Sequence, residues 1–411
     1  MKSKINILFI ALLLFSVYSC SPRGDGSVSI VEVNGNQMFV TSLSSLSSDV
    51  ATISLSSLVE SLELVQLEDY DDAFFIEWTT TVTENYIGIR QRQNRPFLLF
   101  CRSGRFLGNV GSIGQGPGEY STLYDEFIDD KNGLIYLAPF SHSDRILVFN
   151  TSGAFVREIV TPMHLNKPKM FVSDNILSVF HKSFSEGSPM AFQMTIPTGN
   201  YAMDITSGET LELSLEVPRV QAGQLLNTIP TPAHFVVQSF DGEIFPSRNV
   251  EGVFGFVHTN VDTLFHFDMQ NNQIVPVFTM ASSASGIWKN YFQVNSDLIM
   301  TGVSVFDDNI RRFVNRGFVA TDLRNMTSSY INIVNDFFGN LPVQPSFRNG
   351  YFVWNIQPED LMYKIENHLD RSDVSQNDRQ QLEDLLSRLE EDTNNVVFIG
   401  RLRDGIEGRL W

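Results

Sequence analysis

Cysteine is nearly absent from this chain: of 411 residues only Cys20 and Cys101 are cysteines. A single pair cannot build a disulfide framework, so the two thiols must serve separate ends. Positive charge is scarce as well, with 29 Lys and Arg against 47 Asp and Glu and a formal net charge of −18. A surface this acidic repels phosphate backbones, and no basic stripe interleaved with aromatics relieves it, which argues against a nucleic-acid partner. Solubility is the plain reading of the charge. Several catalytic signatures are missing too: there is no GxSxG elbow, and the histidines show no HxH, HxxxH or HExxH spacing. What is plentiful is apolar and aromatic. Hydrophobic residues make up 43% against 18% charged, with 33 Phe and 16 Pro, the composition of a folded, loop-rich protein with one large core or two ordinary ones.

The N-terminus reads MKSKINILFIALLLFSVYSC: two lysines, an apolar run from Ile5 to Val17, then small Ser19 before Cys20. The layout is that of a signal peptide over residues 1–19, and the run is too short for a convincing membrane span. A cysteine directly after the cleavage region resembles the lipobox of bacterial lipoproteins, which implies lipid attachment at Cys20 and a membrane held through that lipid; the alternative is an ordinary secreted chain with an incidental thiol. In such proteins Ser21 after the cysteine favours the outer membrane, with the periplasmic and surface faces both open. Residues 20–50 then read as a lipidated tether and N-terminal segment, and 51–411 as the folded domain.

Internal repetition organises that domain. Leu98 to Leu107, LLFCRSGRFL, and Leu147 to Val156, LVFNTSGAFV, align 49 residues apart, each an apolar run, a Ser-Gly turn and a second apolar run. Weaker echoes begin at Tyr201, Leu264 and Phe318. The residue closing the first run falls at Cys101, Asn150, Asp204, Asp268 and Asp322, a period near 50, as for a four-stranded propeller blade. Pro358 to Asp392 interrupts the pattern: Leu361, Ile365 and Leu369 share one helical face, and Leu382, Leu385, Leu386 and Leu389 another, with Asp384 and Arg388 spaced to pair. With that insertion set aside, Asp404 ends a sixth unit. The expected fold is therefore all-β, a six-bladed β-propeller with a helical hairpin (358–392) inserted in the last blade. Ile53 to Leu67 is expected to supply a strand to that blade, since closing the ring removes exposed sheet edges.

The segments FCRSGRFLGNVGSIGQGPGEY and DDKNGLIYLAPFSHSDRILVFNTSGAFVREI, with the lipobox, resemble the NHL-related six-bladed β-propeller lipoproteins of Gram-negative bacteria. The resemblance implies a propeller fold and an envelope location; it implies no particular ligand or activity, and most members have none assigned.

Chemical candidates are few. The loop GSIGQGPGEY, Gly111 to Tyr120, has the glycines of a phosphate cradle but puts Glu119 where a cation belongs, so it reads as a crossover between blades, with Glu119 and Tyr120 the residues expected to reach a ligand in a central funnel. In IDDKNG, Ile128 stands where the first Asp of a calcium loop belongs, and an Asn-Gly hairpin explains the stretch better. No catalytic residue, metal site or cofactor is assigned. The favoured function is a non-enzymatic binding or scaffold module for a glycan, peptide or protein partner. The alternative is a metal-assisted lactonase or hydrolase with carboxylates converging in the funnel, and a third reading is a structural subunit of an envelope complex.

Overall fold

The computed structural model describes residues 27–195 and 243–406, apart from 34, 70–73, 93, 141–142, 166, 174–175, 183–188, 251, 258–261, 269–272 and 283–285, together with residues 410–411. The Cys20 expectation and the repeat echo at Tyr201 lie outside the described residues. Among those described, no helix is long and apolar enough to cross a membrane.

The fold is all-β, with six larger sheets and one two-stranded ribbon among the described residues. In chain order the first sheet holds Glu77–Val82, Tyr86–Gln91, Phe97–Cys101 and Phe106–Val110, and the second Leu123–Asp129, Leu134–Pro139, Ser143–Asn150 and Phe155–Leu165. The third holds Lys169–Ser173, Ile176–Lys182 and Pro189–Thr195, and the fourth Glu243–Pro246, Val253–Val257, Leu264–Asp268 and Gln273–Ala281. The fifth is built on Ile287–Gln293, Leu298–Asp307, Arg312–Asp322 and Thr327–Asn335, and the sixth on Phe347–Arg348, Tyr351–Ile356 and Val396–Arg401. Within each sheet these strands pair antiparallel with their chain neighbours.

Strands such as Phe97–Cys101 and Leu134–Pro139 are apolar and buried along nearly their whole length rather than at alternate positions. A strand is buried on both faces when its sheet is covered on both faces, so these are interior strands of stacked sheets. The repeat is visible in three dimensions. Each of Cys101, Asn150, Asp268 and Asp322 is the last residue of its strand. The Asn150 side chain accepts hydrogen bonds from the backbone N–H groups of Ser152 and Ala154, and Asp322 from those of Arg324 and Asn325. A side-chain acceptor that folds the turn over itself is the reason Asn and Asp recur there.

The sixth sheet is completed by Glu63–Gln66, which pairs antiparallel with Val396–Arg401. Part of the Ile53–Leu67 stretch therefore takes the expected place. Val50–Ser54 instead pairs in parallel with Thr327–Asn335 of the fifth sheet. No strand follows Val396–Arg401 among the described residues, so the repeat that Asp404 was expected to close is finished by the N-terminal strand. From Val28 onward the N-terminal segment is folded: Val28–Val33 and Asn36–Ser42 form a hairpin, and Asn36–Ser42 pairs in parallel with Gln273–Ala281. The β-branched residues of VSIVEV and FVT make a strand worth more than a polar tether, and the added pair covers a sheet edge.

Two helices, α1 (Pro358–Leu369) and α2 (Gln376–Leu386), sit between the second and third strands of the sixth sheet. Leu361, Ile365, Leu382, Leu385 and Leu389 are buried in one cluster with Ile53, Leu55, Phe352 and Phe398. The helices thus extend the core of the last two sheets. Pro358 stands in the first turn, where its missing N–H costs nothing, and Ser375 caps α2 by accepting from the Asp378 N–H at 3.1 Å. Asp384 accepts from Gln380 at 2.9 Å, and among the ion pairs of the described residues none joins it to Arg388. α2 rests on the turn at Gly339, which has φ of +60° and no room for a side chain: a Cβ there would lie 2.5 Å from Leu382 Cγ.

Candidate ligand-binding cleft

The first strands of the six sheets converge. Thr79 and Thr81 of the first sheet donate to Glu126 of the second at 3.1 and 2.8 Å, and the Met170 N–H of the third donates to Asp125 at 2.8 Å. Ser247, after the first strand of the fourth sheet, bonds the Gln293 backbone of the fifth, and Asn249 donates to Phe347 O of the sixth at 3.2 Å. Between these strands lies a cleft of about 480 Å³, lined from every larger sheet except the second.

Its chemistry starts from an odd dipeptide. Leu123–Asp129, LYDEFID, is an interior strand, yet Asp125 and Glu126 at its centre are buried to 1% and 0% exposure. Successive strand residues point to opposite faces, and here each face finds its own cations. Glu126 pairs with Arg90 of the first sheet at 2.7 Å and with Arg348 of the sixth. Asp125 pairs with Arg248 of the fourth and lies 4.0 Å from the ammonium of Lys169 in the third. Buried carboxylates are tolerable only with such partners, because the loss of hydration otherwise exceeds any gain. Burial alone would push the Glu126 carboxyl up, but the charges of Arg348, Arg90 and Arg248 outweigh it and hold the group at about 2. Burial also lowers Arg348 to about 10; Glu126 opposes that shift, and the crowding of Arg248 and Arg90 adds to it.

All four cations line the cleft, and among the described residues Glu77 is the one acid that does. Burial raises the Glu77 carboxyl above its ordinary value, against a hydrogen bond from Thr80 and the charges of Arg92 and Arg348. Trp78 and Phe245 line the same cleft while remaining 61% and 39% exposed. The Arg90 guanidinium lies 5.8 Å from the Trp78 ring centre and the Lys169 ammonium 4.4 Å from that of Tyr124. The buried Nε of Arg348 has no hydrogen-bond partner among the described residues. The arrangement suits recognition of charge and of a flat apolar surface. It does not suit general base chemistry by Asp125 or Glu126, whose charges are already spent on guanidinium partners.

Glu119 and Tyr120 lie elsewhere. Ser112–Ile113 pairs in parallel with Glu119–Tyr120, making the Gly111–Tyr120 loop a ribbon between the first and second sheets, as a crossover requires. Tyr120 is buried, its hydroxyl donating to Val110 O at 2.6 Å and accepting from the Phe97 N–H at 2.8 Å. The Glu119 carboxylate folds back onto its own loop and accepts from the Gly116 N–H at 2.7 Å. Neither residue lines the cleft. Asp129 of the IDDKNG stretch accepts from the backbone and side chain of Asn132, the bonds of a hairpin turn. Among the described residues no three His, Cys, Asp or Glu side chains stand together as metal ligands.

Sequence reasoning passed over the cleft residues, although a signal existed. Adjacent acids inside an apolar strand, Asp125-Glu126, require buried cations. Two similar segments supply two of them: Pro246-Ser247-Arg248-Asn249 and Pro345-Ser346-Phe347-Arg348-Asn349.

The fold and site together define an all-β protein of stacked antiparallel sheets around a cation-lined cleft. Within that class the chain belongs to the DUF4934 family, a domain of unknown function, which it matches over residues 39–401. No curated protein matches the sequence. Among solved structures it is similar to a Bacteroides fragilis protein described as exported, at 15% identity over 86% of this chain and 100% of that one, with a TM-score of 0.47. It is also similar to a catalytically inactive virginiamycin B lyase from Staphylococcus aureus with quinupristin, at 10% identity over 62% and 88% of the two chains and a TM-score of 0.31. A third likeness is the WD40 domain of Toxoplasma gondii coronin, at 12% identity over 74% and 72% and a TM-score of 0.31.

Proposed function

We propose that this chain is a lipid-anchored envelope protein, held in the outer membrane through Cys20, whose six sheets are the blades of a six-bladed β-propeller and whose central cleft binds a ligand without transforming it. The observation that carries the binding reading is the cleft of about 480 Å³, in which side chains from five sheets meet. A site built from many separate strands is rigid, and rigidity lowers the cost of ordering on binding. The exposed indole of Trp78 beside a guanidinium is the kind of surface that water covers poorly and a ligand covers well. The anchor rests on the sequence from Met1 to Cys20, and the blade count on six sheets whose first strands meet and on the strand Glu63–Gln66 that completes the sixth.

A hydrolase reading would need carboxylates free to take a proton or a cation. Asp125 and Glu126 are both neutralised by Arg and Lys, which favours binding over catalysis. The test is thermal stabilisation of the purified domain by a small-molecule extract of bacterial envelopes, compared between wild type and Ser346→Trp, which fills the cleft. Stabilisation of the wild type alone supports the reading. Equal stabilisation of both proteins places the ligand elsewhere and defeats it. Loss of membrane partitioning in Cys20→Ala tests the anchor.

A further inference from the structure

We propose that the central cleft selects an anionic ligand that also presents a flat apolar face, namely an acidic sugar whose carboxylate or sulfate is held by Lys169, Arg248 and Arg348 and whose ring covers Trp78. The inference rests on the binding reading above and names the ligand class.

Charge is the first support. The whole chain carries −18, yet among the described residues four cations and one carboxylate line this cleft. Asp125 and Glu126 lie behind them and offset only two of the four. A local positive excess in a concave, low-dielectric site focuses potential toward an incoming anion, while the acidic remainder of the surface repels anions from everywhere else. The second support is donor capacity. A guanidinium carries five N–H donors, and a carboxylate partner uses two at most. Arg348 gives one bond to Glu126 through a terminal nitrogen and keeps 18% of its side chain exposed. Arg248 bonds Asp125 and the Glu126 carbonyl. Donors therefore remain for ligand oxygens. The third support is the aromatic rim. Trp78 and Phe245 stay exposed where a folded chain would ordinarily bury them, at the border of the same cleft. The C–H face of a pyranose ring stacks on such a surface, and the hydroxyl of Ser346 in the lining suits a ligand rich in hydroxyls. The cleft volume lies in the range of small-ligand sites.

The test is calorimetric titration of wild type, Lys169→Met and Trp78→Ala with four probes: glucuronate, glucose 6-sulfate, glucose and benzoate. The expected result is that glucuronate or glucose 6-sulfate binds at least about tenfold tighter than glucose and benzoate, each tenfold step being about 1.4 kcal/mol. That preference is expected to shrink with added salt. Lys169→Met reduces affinity for the acidic sugars about fivefold or more without changing that for glucose, and Trp78→Ala weakens all the sugars. Which acidic sugar binds more tightly separates a carboxylate ligand from a sulfate one. Glucose binding as tightly as the acidic sugars overturns the anion preference and leaves the binding reading intact. Benzoate matching glucuronate overturns the sugar assignment. No binding by any probe, with stabilisation by envelope extract still blocked in Ser346→Trp, overturns the ligand class alone; no response to extract either defeats both readings. Trp78 is largely exposed, so its variant is expected to keep the wild-type melting temperature and separates lost binding from lost folding.

Discussion

Arg348 donates to the Glu126 carboxylate from 222 residues further along the chain. The bond joins the first strand of the sixth sheet to that of the second, and Glu126 is fully buried when it forms. Removing the cation leaves a buried carboxylate without one of its two ion pairs, so Arg348→Met is expected to cost about 3–5 kcal/mol in denaturant unfolding. The compensated pair Arg348→Met with Glu126→Gln should recover much of that loss.

The same carboxylate sets a dependence on acid. Its folded-state value is depressed to about 2 from an ordinary 4.5, so the stability it contributes is present above pH 4.5 and is lost as pH falls toward 2. Melting temperature measured across that window should fall in the wild type and fall less steeply in the compensated double variant.

Glu77 behaves in the opposite sense. Its carboxyl is raised, so the neutral form is favoured in the folded protein and that contribution is lost as pH rises through the shifted value. Glu77→Gln is expected to match the wild type in acid and to be at least as stable at neutral pH. In the cleft the ionised form adds a negative charge, so affinity for an anion should decline as pH rises above 4.5 in the wild type, and should be flat with Glu77→Gln, as titration would read.

The helical insertion is expected to respond as core. Leu382→Ala and Ile365→Ala, both at fully buried positions, should each cost about 2–5 kcal/mol. Tyr363→Ala on the exposed side of α1 should stay within about 0.5 kcal/mol. Gly339→Ala should join the damaging group, since its φ is positive and its Cβ would meet Leu382 and the Asp378 carbonyl. Equal effects at all four positions would contradict this division.

Tyr120→Phe removes both a buried donor and a buried acceptor partner, leaving the Phe97 N–H and Val110 O unmatched, and should cost about 1–3 kcal/mol while leaving affinity for any cleft ligand unchanged.

Local rules made the fold largely legible. The Ser-Gly turns and the Asn150 and Asp322 side chains that close their strands depend on bonds between residues two to four apart, so the sequence displays them directly. The helices were legible for the same reason, through the spacing of Leu361, Ile365, Leu382 and Leu385. The cleft was not. Arg90, Glu126, Arg248 and Arg348 come from four sheets, and nothing in the neighbours of any one of them reveals the others. The glycine-rich loop misled in the opposite direction: it is conspicuous locally, and its Glu119 and Tyr120 are used to hold the loop itself.

The pairing of Glu63–Gln66 with Val396–Arg401 also orders events in time. A strand that joins the sixth sheet from the beginning of the chain must wait, during synthesis or passage across a membrane, until nearly everything else has emerged. Contacts between such distant segments form slowly because loop-closure entropy is lost before they stabilise anything. The closing of the sixth sheet is therefore expected to come late in folding, and a chain truncated before Val396 should leave an open edge to which a second molecule could add.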